Sequence, residues 1–153
     1  MPLEDIVAPD AVLPALKASS KKQLLQDVAV KAAELCGQSE QIIFETLQQR
    51  EKLGSTGVGN GIAIPHGKLP KLGNLFGLFA RLETPIEFEA LDGKPVDLVF
   101  VLLAPESAGA DHLKALARAA RLLRDVEVAR RLRASRDAHD LYAVLAMPSA
   151  SAA

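Results

Sequence analysis

The sequence lacks most of the features that mark exported and membrane proteins. Its single cysteine, Cys36, cannot form an internal disulfide, and the N-terminus has no cationic segment followed by a long apolar run. No apolar run approaches the ~20 residues that are needed to span a bilayer. We therefore expect a cytoplasmic protein that is not embedded in a membrane.

The chain also lacks an excess of either charge. It has 18 Lys and Arg against 19 Asp and Glu, which gives a formal net charge of −1, and no basic block stands out beyond residues 130–133. A nucleic-acid partner therefore has no bulk electrostatic support. The three dispersed histidines and one cysteine match no familiar zinc spacing, so we expect no metal.

The glycine-containing motifs do not fit a nucleotide cofactor either. The run 57–61 reads G-x-G-x-G after a helical pattern, whereas the dinucleotide fingerprint is G-x-G-x-x-G after a strand. Gly67-Lys68 resembles the end of a P-loop, but Ile62 stands where that loop needs glycine and Leu69 where it needs a hydroxyl. We expect no cofactor.

A length of 153 residues suits one domain with one core. Residues 1–11 carry two prolines and mixed charges, which predicts a loosely ordered arm. Residues 12–146 are expected to form the domain, beginning with a short edge strand over 12–18, and residues 147–153 a flexible tail.

The apolar pattern predicts an α/β fold. Helical spacing follows Ser19-Ser20 and ends near Gly37, and a second helix is expected from Ser39 to about Lys52. The runs 75–82 and 98–104 are nearly continuous in apolar residues, as in strands covered on both faces, and 86–89 alternates like an edge strand. Apolar stripes that begin at Leu113, Val126 and Leu141 predict three further helices. The expected architecture is a mixed sheet flanked by helices.

The stretch around His66 is the most informative part of the chain. A β-branched run ends at Pro65, so His66 and Gly67 stand where a strand stops and the backbone turns. A loop of small and polar residues, 54–60, lies upstream and permits close approach of a substrate. An imidazole with a reference pKa of ~6.5 is largely neutral near pH 7 and can accept a phosphoryl group.

Phosphoryl transfer depends mostly on donors that are already in position. Candidates are Arg50, the hydroxyls of Ser55 and Thr56, loop N–H groups including that of Gly67, and His112. Sequence position alone permits two interpretations each for Arg50 and His112. Arg50, in the last turn of a helix, either complements the helix dipole or points at an oxyanion near His66. His112, at the start of another helix, is either a partly buried capping residue or a second imidazole of the site.

The run from Arg50 to Lys68 closely resembles the signature of the type-2 IIA domains of the bacterial phosphoenolpyruvate-dependent phosphotransferase system (PTS). The similarity continues through residues 82–86, 95–98, 111–113 and 130–133, and it is strongest toward the nitrogen-regulatory branch. The resemblance implies a mixed, about five-stranded sheet with helices on both faces. It also implies that His66 takes a phosphoryl group on Nε2 from a small histidine-phosphorylated carrier of the HPr/NPr type, with His112 and Arg50 in the active site.

Two functions are compatible with this resemblance. In one, the chain is a transport component that passes the phosphoryl group to a separate IIB domain for sugar uptake. In the other, phosphorylation changes the affinity for regulatory targets such as potassium transporters or sensor kinases. The chain ends about where a IIA fold ends, so we expect no fused IIB or membrane domain. This expectation favours regulation, as does the similarity to the nitrogen-regulatory branch, although a sugar-type IIA can also be a separate polypeptide.

Overall fold

The computed structural model describes residues 3–147, which contain six strands and five α-helices. The strands are β1 (Val7–Leu16), β2 (Gly57–Gly59), β3 (Ile62–Ala63), β4 (His66–Leu69), β5 (Phe76–Ile86) and β6 (Val96–Pro105). The helices are α1 (Lys21–Cys36), α2 (Glu40–Lys52), α3 (Asp111–Arg124), α4 (Val126–Ala134) and α5 (Ala138–Ala146).

The six strands form one mixed sheet in the order β1-β5-β6-β3-β2. β5 is antiparallel to β6 and parallel to β1, whereas β2 is antiparallel to β3. β3 and β4 both run parallel to β6, with Ile62 opposite Leu98 and His66 opposite Leu102. These two short strands lie end to end along one edge of β6, so the six strands fill five positions.

The centre of the sheet is covered on both faces. Residues 98–105 of β6 are buried without interruption, which requires packed layers above and below the strand. Phe79 and Phe100 face each other across β5 and β6 and are fully buried. Each such side chain contributes about 1.5–3 kcal/mol relative to exposure. The predicted α/β fold, a mixed sheet between helices, is confirmed. No helix within residues 3–147 is long and apolar enough to cross a bilayer.

The ends of the first two helices follow the predicted signals. The hydroxyl of Ser20 accepts a hydrogen bond from the N–H of Gln23, and Gly37 ends α1 in the left-handed region with φ 74°. The hydroxyl of Ser39 accepts from the N–H of Ile42 at the start of α2. These caps fix where α2 begins and therefore where Arg50, in its last turn, lies.

The prediction of a loosely ordered arm over residues 1–11 is wrong for residues 3–11. A 3₁₀ turn at Leu3–Asp5 leads into β1, and Leu3, Ile6 and Val7 are buried against the core. The register to β5 shifts between Val7 and Val12, and this irregularity accommodates Pro9 on an edge strand. The predicted tail falls outside the described residues from position 148 onward.

Two further predictions need correction. Residues 86–89 do not form a separate strand, because β5 continues to Ile86, which pairs with Val96. Leu113, expected to face the core, is 60% exposed. The buried face of α3 is lined instead by Ala115, Ala119, Leu122 and Leu123, because small side chains let the helix approach the sheet closely.

Candidate functional site

His66 is the first residue of β4 and is held at the edge of the sheet by a break in strand pairing. Ile64 and Pro65 separate β3 from β4, and the N–H of Leu102 donates to the carbonyl of Pro65 at 3.0 Å. Parallel pairing then resumes with His66 opposite Leu102. The half-buried ring of His66 lines a pocket of about 180 Å³. The other lining residues are Gly67, Lys68, Leu102, Ala104, His112 and Leu116.

The hydrogen bonds of the His66 ring define its tautomer. Nδ1 lies 2.8 Å from the carbonyl oxygen of Ile64, which can only accept, so Nδ1 carries the proton. Nε2 is then left with a lone pair, toward which Nε of Arg50 donates at 3.3 Å. Nη1 of Arg50 also donates to the carbonyl of Gly54 at 2.9 Å, which anchors the guanidinium. The ring is arranged as a neutral nucleophile at Nε2.

The surroundings of His66 favour the neutral ring. Burial is the main cause that lowers the pKa of His66 below its usual 6.5, and it outweighs the hydrogen bond to Ile64, which raises the pKa. The charges of Arg50 and His112 lower this pKa further, whereas the Glu51 carboxylate raises it. At neutral pH the lone pair on Nε2 is therefore available.

His112 lies in the first turn of α3 on the same pocket. Its Nδ1 is 2.6 Å from the carbonyl oxygen of Gly109, which fixes the proton on Nδ1 as in His66. The structure thus brings His66, Arg50 and His112 together from β4, α2 and α3. Of the two alternatives for Arg50, the geometry favours the one in which the guanidinium points toward His66.

The structure does not place the hydroxyls of Ser55 and Thr56 at this pocket. The Ser55 hydroxyl donates to the carbonyl of Phe88 at 2.9 Å and accepts from the N–H of Gly57 at 3.0 Å. Thr56 is buried, and its hydroxyl donates to the carboxylate of Glu51. Because both hydroxyls are committed to protein partners, the expectation that they bind phosphate finds no support in the geometry.

The glycines of this region make room for protein neighbours. A Cβ on Gly67, which does line the pocket, would lie 2.5 Å from Cγ2 of Thr46 on α2. Gly61 has φ 80°, and a Cβ there would lie 2.8 Å from a carboxylate oxygen of Asp97. Close packing accounts for glycine at both positions.

Two residues near the site were not singled out from the sequence. Lys68 lines the pocket two positions after His66, and strand alternation places i and i+2 on one face. The alternation of side chains along a strand could therefore have indicated Lys68 from the sequence. Glu51 is buried, forms an ion pair with Lys21 at 3.0 Å and acts electrostatically on His66. No local pattern distinguishes it from an ordinary exposed helix carboxylate.

The site therefore combines one nucleophilic nitrogen with a guanidinium that donates to it, and Lys68 and a second imidazole line the same pocket. Such a set of donors suits an anion with several oxygens, such as a phosphoryl group. Leu102, Ala104 and Leu116 supply an apolar wall, against which these donors are less screened by water.

Comparison with known proteins identifies the family of the chain. Residues 5–147 match the sequence profile of the family described as "Phosphoenolpyruvate-dependent sugar phosphotransferase system, EIIA 2". The chain is 70% identical over 153 residues, the full length of both chains, to a nitrogen regulatory protein of Bradyrhizobium diazoefficiens. The crystal structure of nitrogen regulatory protein IIA-Ntr from Neisseria meningitidis aligns with TM-score 0.89 and 35% identity, covering 94% of this chain and 98% of that one.

A more distant structure shares the fold alone. Mannitol enzyme IIA from Escherichia coli, solved in complex with phosphorylated enzyme IIB, aligns with TM-score 0.76 and 20% identity over 91% of this chain and 95% of that one. The family profile and the two nitrogen regulatory relatives carry the assignment. The chain belongs to the EIIA 2 family of the phosphoenolpyruvate-dependent sugar phosphotransferase system, together with its nitrogen regulatory members.

Proposed function

We propose that His66 is a phosphoryl acceptor that takes its group on Nε2 from the phosphohistidine of a small carrier protein of the HPr/NPr type. The observation that carries this proposal is the 2.8 Å hydrogen bond from Nδ1 to the carbonyl of Ile64, which leaves Nε2 unprotonated. In the transfer, the P–N bond of the donor breaks and its electron pair stays on the donor's ring nitrogen. The new P–N bond forms at Nε2, while Nδ1 keeps its proton.

Arg50 and His112 have distinct parts in this step. Nε of Arg50 now donates to Nε2 of His66 at 3.3 Å, so an incoming phosphorus displaces this hydrogen bond. The freed N–H then lies next to the phosphoryl oxygens and stabilises their charge. Lys68 and the imidazolium form of His112, which carries a second proton on Nε2, lie on the same pocket and supply further donors to these oxygens. The protein contributes mainly position and charge, as phosphoryl transfer requires.

The relatives favour a regulatory role for the phosphorylated state. Proteins named nitrogen regulatory are 70% and 35% identical to this chain, against 20% for the mannitol enzyme. A phosphoryl group adds about −1.5 to −2 charges beside the apolar side chains of Leu102, Ala104 and Leu116. This charge can change the affinity of a bound target, such as a potassium transporter or a sensor kinase in the cytoplasm, by about 1–3 kcal/mol.

The alternative is a sugar-uptake component that passes the group to a separate IIB domain. The mannitol enzyme IIA, which shares the fold, forms a complex with its phosphorylated IIB. Incubation of the phosphorylated chain with purified IIB proteins separates the two roles. Stoichiometric transfer to a IIB protein supports transport, whereas retention of the group together with state-dependent capture of a transporter or kinase supports regulation.

Intact-mass spectrometry at neutral pH tests the acceptor itself. The protein is incubated with phosphoenolpyruvate, the first enzyme of the system and the small carrier. We expect the wild type and the His139→Ala control, in which an exposed histidine is removed, to gain one phosphoryl group. His66→Ala should gain none, and a phosphoryl group on that variant would refute the assignment.

A further inference from the structure

We propose that Glu51 and Thr56, with Lys21 as counterion, form a positioning network that holds His66 in the tautomer and orientation needed for phosphoryl transfer. This inference rests on the proposed function of His66. Among residues 3–147, Glu51 and Thr56 are the only buried polar or charged residues, and they contact each other. A buried carboxylate is costly unless it is fully paired, so its presence requires a physical reason.

Both oxygens of the Glu51 carboxylate have partners. Oε1 pairs with Nζ of Lys21 at 3.0 Å and accepts the N–H of Thr56 at 3.0 Å, while Oε2 accepts the Thr56 hydroxyl. Nζ of Lys21 also lies 3.5 Å from Glu89 and 4.6 Å from the centre of the Phe88 ring. The network therefore joins the start of α1, the end of α2 and the loop that follows it.

A chain of hydrogen bonds connects this carboxylate to the protonated nitrogen of His66. The N–H of Thr56 donates to Glu51, and the carbonyl of Thr56 accepts the N–H of Ile64 at 3.0 Å. The carbonyl of Ile64 in turn accepts the proton on Nδ1 of His66 at 2.8 Å. Because these bonds lie on successive peptide groups of Thr56 and Ile64, they act together by fixing the position of the backbone. The position of Thr56 thus sets the acceptor that fixes the His66 tautomer.

The same carboxylate also controls the other side of the ring. Glu51 follows Arg50 directly, and the loop that Glu51 holds supplies the Gly54 carbonyl to which Arg50 donates at 2.9 Å. Arg50 in turn donates to Nε2 of His66. Both ring nitrogens therefore depend on one buried side chain, through Thr56 and Ile64 on one side and through Arg50 on the other.

The substitutions Glu51→Gln, Thr56→Val and Thr56→Ser test the network. Glu51→Gln removes the charge, Thr56→Val replaces the hydroxyl with a methyl group, and Thr56→Ser keeps the hydroxyl but removes the methyl group. Glu45→Gln is the matched control because it removes the same charge from the exposed face of the same helix. The rate of phosphorylation by the phosphorylated carrier and the NMR titration of the His66 ring are measured for each.

We expect Glu51→Gln and Thr56→Val to slow phosphorylation by about ten- to a hundredfold, since small misplacements of reacting groups have effects of this size. Thr56→Ser should restore the rate to within about twofold, and Glu45→Gln should not change it. Equal rates in Thr56→Val and Thr56→Ser, or a loss that matches only the fraction of unfolded protein, would overturn the proposal.

The pKa of His66 separates a positioning role from general loosening. The charged and titratable groups around the ring are Arg50 and Glu51 from α2, His112 from α3 and Lys68 from β4. Glu51 raises this pKa, so Glu51→Gln should lower it. Loosening would instead admit water, relieve the effect of burial and raise the pKa toward 6.5. A rise or no change therefore overturns the proposal.

This readout remains valid if the proposed function fails, because the titration of the ring requires no phosphoryl group. If Glu51→Gln does not fold, Thr56→Val supplies the test through the ¹⁵N shifts of the ring. They should show loss of the single Nδ1–H tautomer, and an unchanged tautomer would overturn the proposal.

Discussion

Arg50→Ala should produce two separable changes in phosphoryl transfer. Arg50 donates to Nε2 of His66 from 3.3 Å and is anchored on Gly54, so it is in place before the donor arrives. A hydrogen bond from a charged group contributes about 1.5–3 kcal/mol. If this hydrogen bond stabilises the transition state, its loss slows phosphorylation by about 10- to 150-fold, measured as the plateau rate that the reaction reaches at high pH.

The second change is a shift in the pH dependence. Because the positive charge of Arg50 lowers the pKa of His66, its removal raises that pKa. The rate should increase with pH as the ring loses its proton, so the midpoint of the profile moves to higher pH in Arg50→Ala. Rapid-quench phosphorylation by the phosphorylated carrier, measured from about pH 5 to 8, gives the plateau and the midpoint together.

Lys52→Ala is the matched control, since this exposed cation ends the same helix without bonding to His66. It should leave both the plateau and the midpoint unchanged. The reasoning would be refuted if Arg50→Ala kept its plateau rate within about twofold of wild type, or if its midpoint moved to lower pH. Circular dichroism checks that the variants compared are folded.

Other substitutions test the packing of the site, the titration of His66 and the part of the second histidine. Gly67→Ala should lower the free energy of unfolding by about 1–3 kcal/mol, because its Cβ would meet Cγ2 of Thr46 at 2.5 Å. Adding Thr46→Ser, which removes that methyl group, should restore most of the loss in thermal denaturation, and no recovery would contradict the packing argument. Burial lowers the pKa of His66 below the unfolded value of ~6.5, so the unfolded state binds more protons just below that pH. The stability contribution of the neutral ring is complete above pH ~6.5 and is lost as the pH falls through the folded pKa. Urea titrations should therefore show a free energy of unfolding that falls as the pH is lowered in wild type and falls less steeply in His66→Gln. Equal slopes in the two proteins would contradict this account. His112→Ala should fold normally, because the His112 ring hydrogen-bonds only to the carbonyl of Gly109 within the described structure. The variant should nevertheless slow transfer by about tenfold in the same rapid-quench assay, and an unchanged rate would exclude a part for His112 in the site.

The parts of the fold with strong local signals could be predicted from the sequence. The nearly continuous apolar runs of β5 and β6 indicate strands that are buried on both faces, and the serine and glycine caps define the ends of α1 and the start of α2. β1 was predicted to start too late because its prolines and charges conceal a strand whose pairing is irregular. In α3, the leucine pattern was misleading because alanines form much of the buried face.

The site could be predicted in part for similar reasons. Pro65-His66-Gly67 indicates a presented histidine by itself, whereas the approach of Arg50 to that ring depends on how α2 packs against β4. The resemblance to known proteins supplied that contact in advance. The structure does not place the hydroxyls of Ser55 and Thr56 at the pocket, because Ser55 bonds to Phe88, 33 positions downstream, and Thr56 bonds to a buried carboxylate. Local composition cannot identify such partners.

NMR of the ¹⁵N-labelled, phosphorylated protein tests the central claim most directly, because it locates the phosphorus on a particular ring nitrogen. The structure predicts the phosphoryl group on Nε2 of His66, with Nδ1 still protonated and bonded to the carbonyl of Ile64. A phosphoryl group on Nδ1, or on any other residue, would contradict the account.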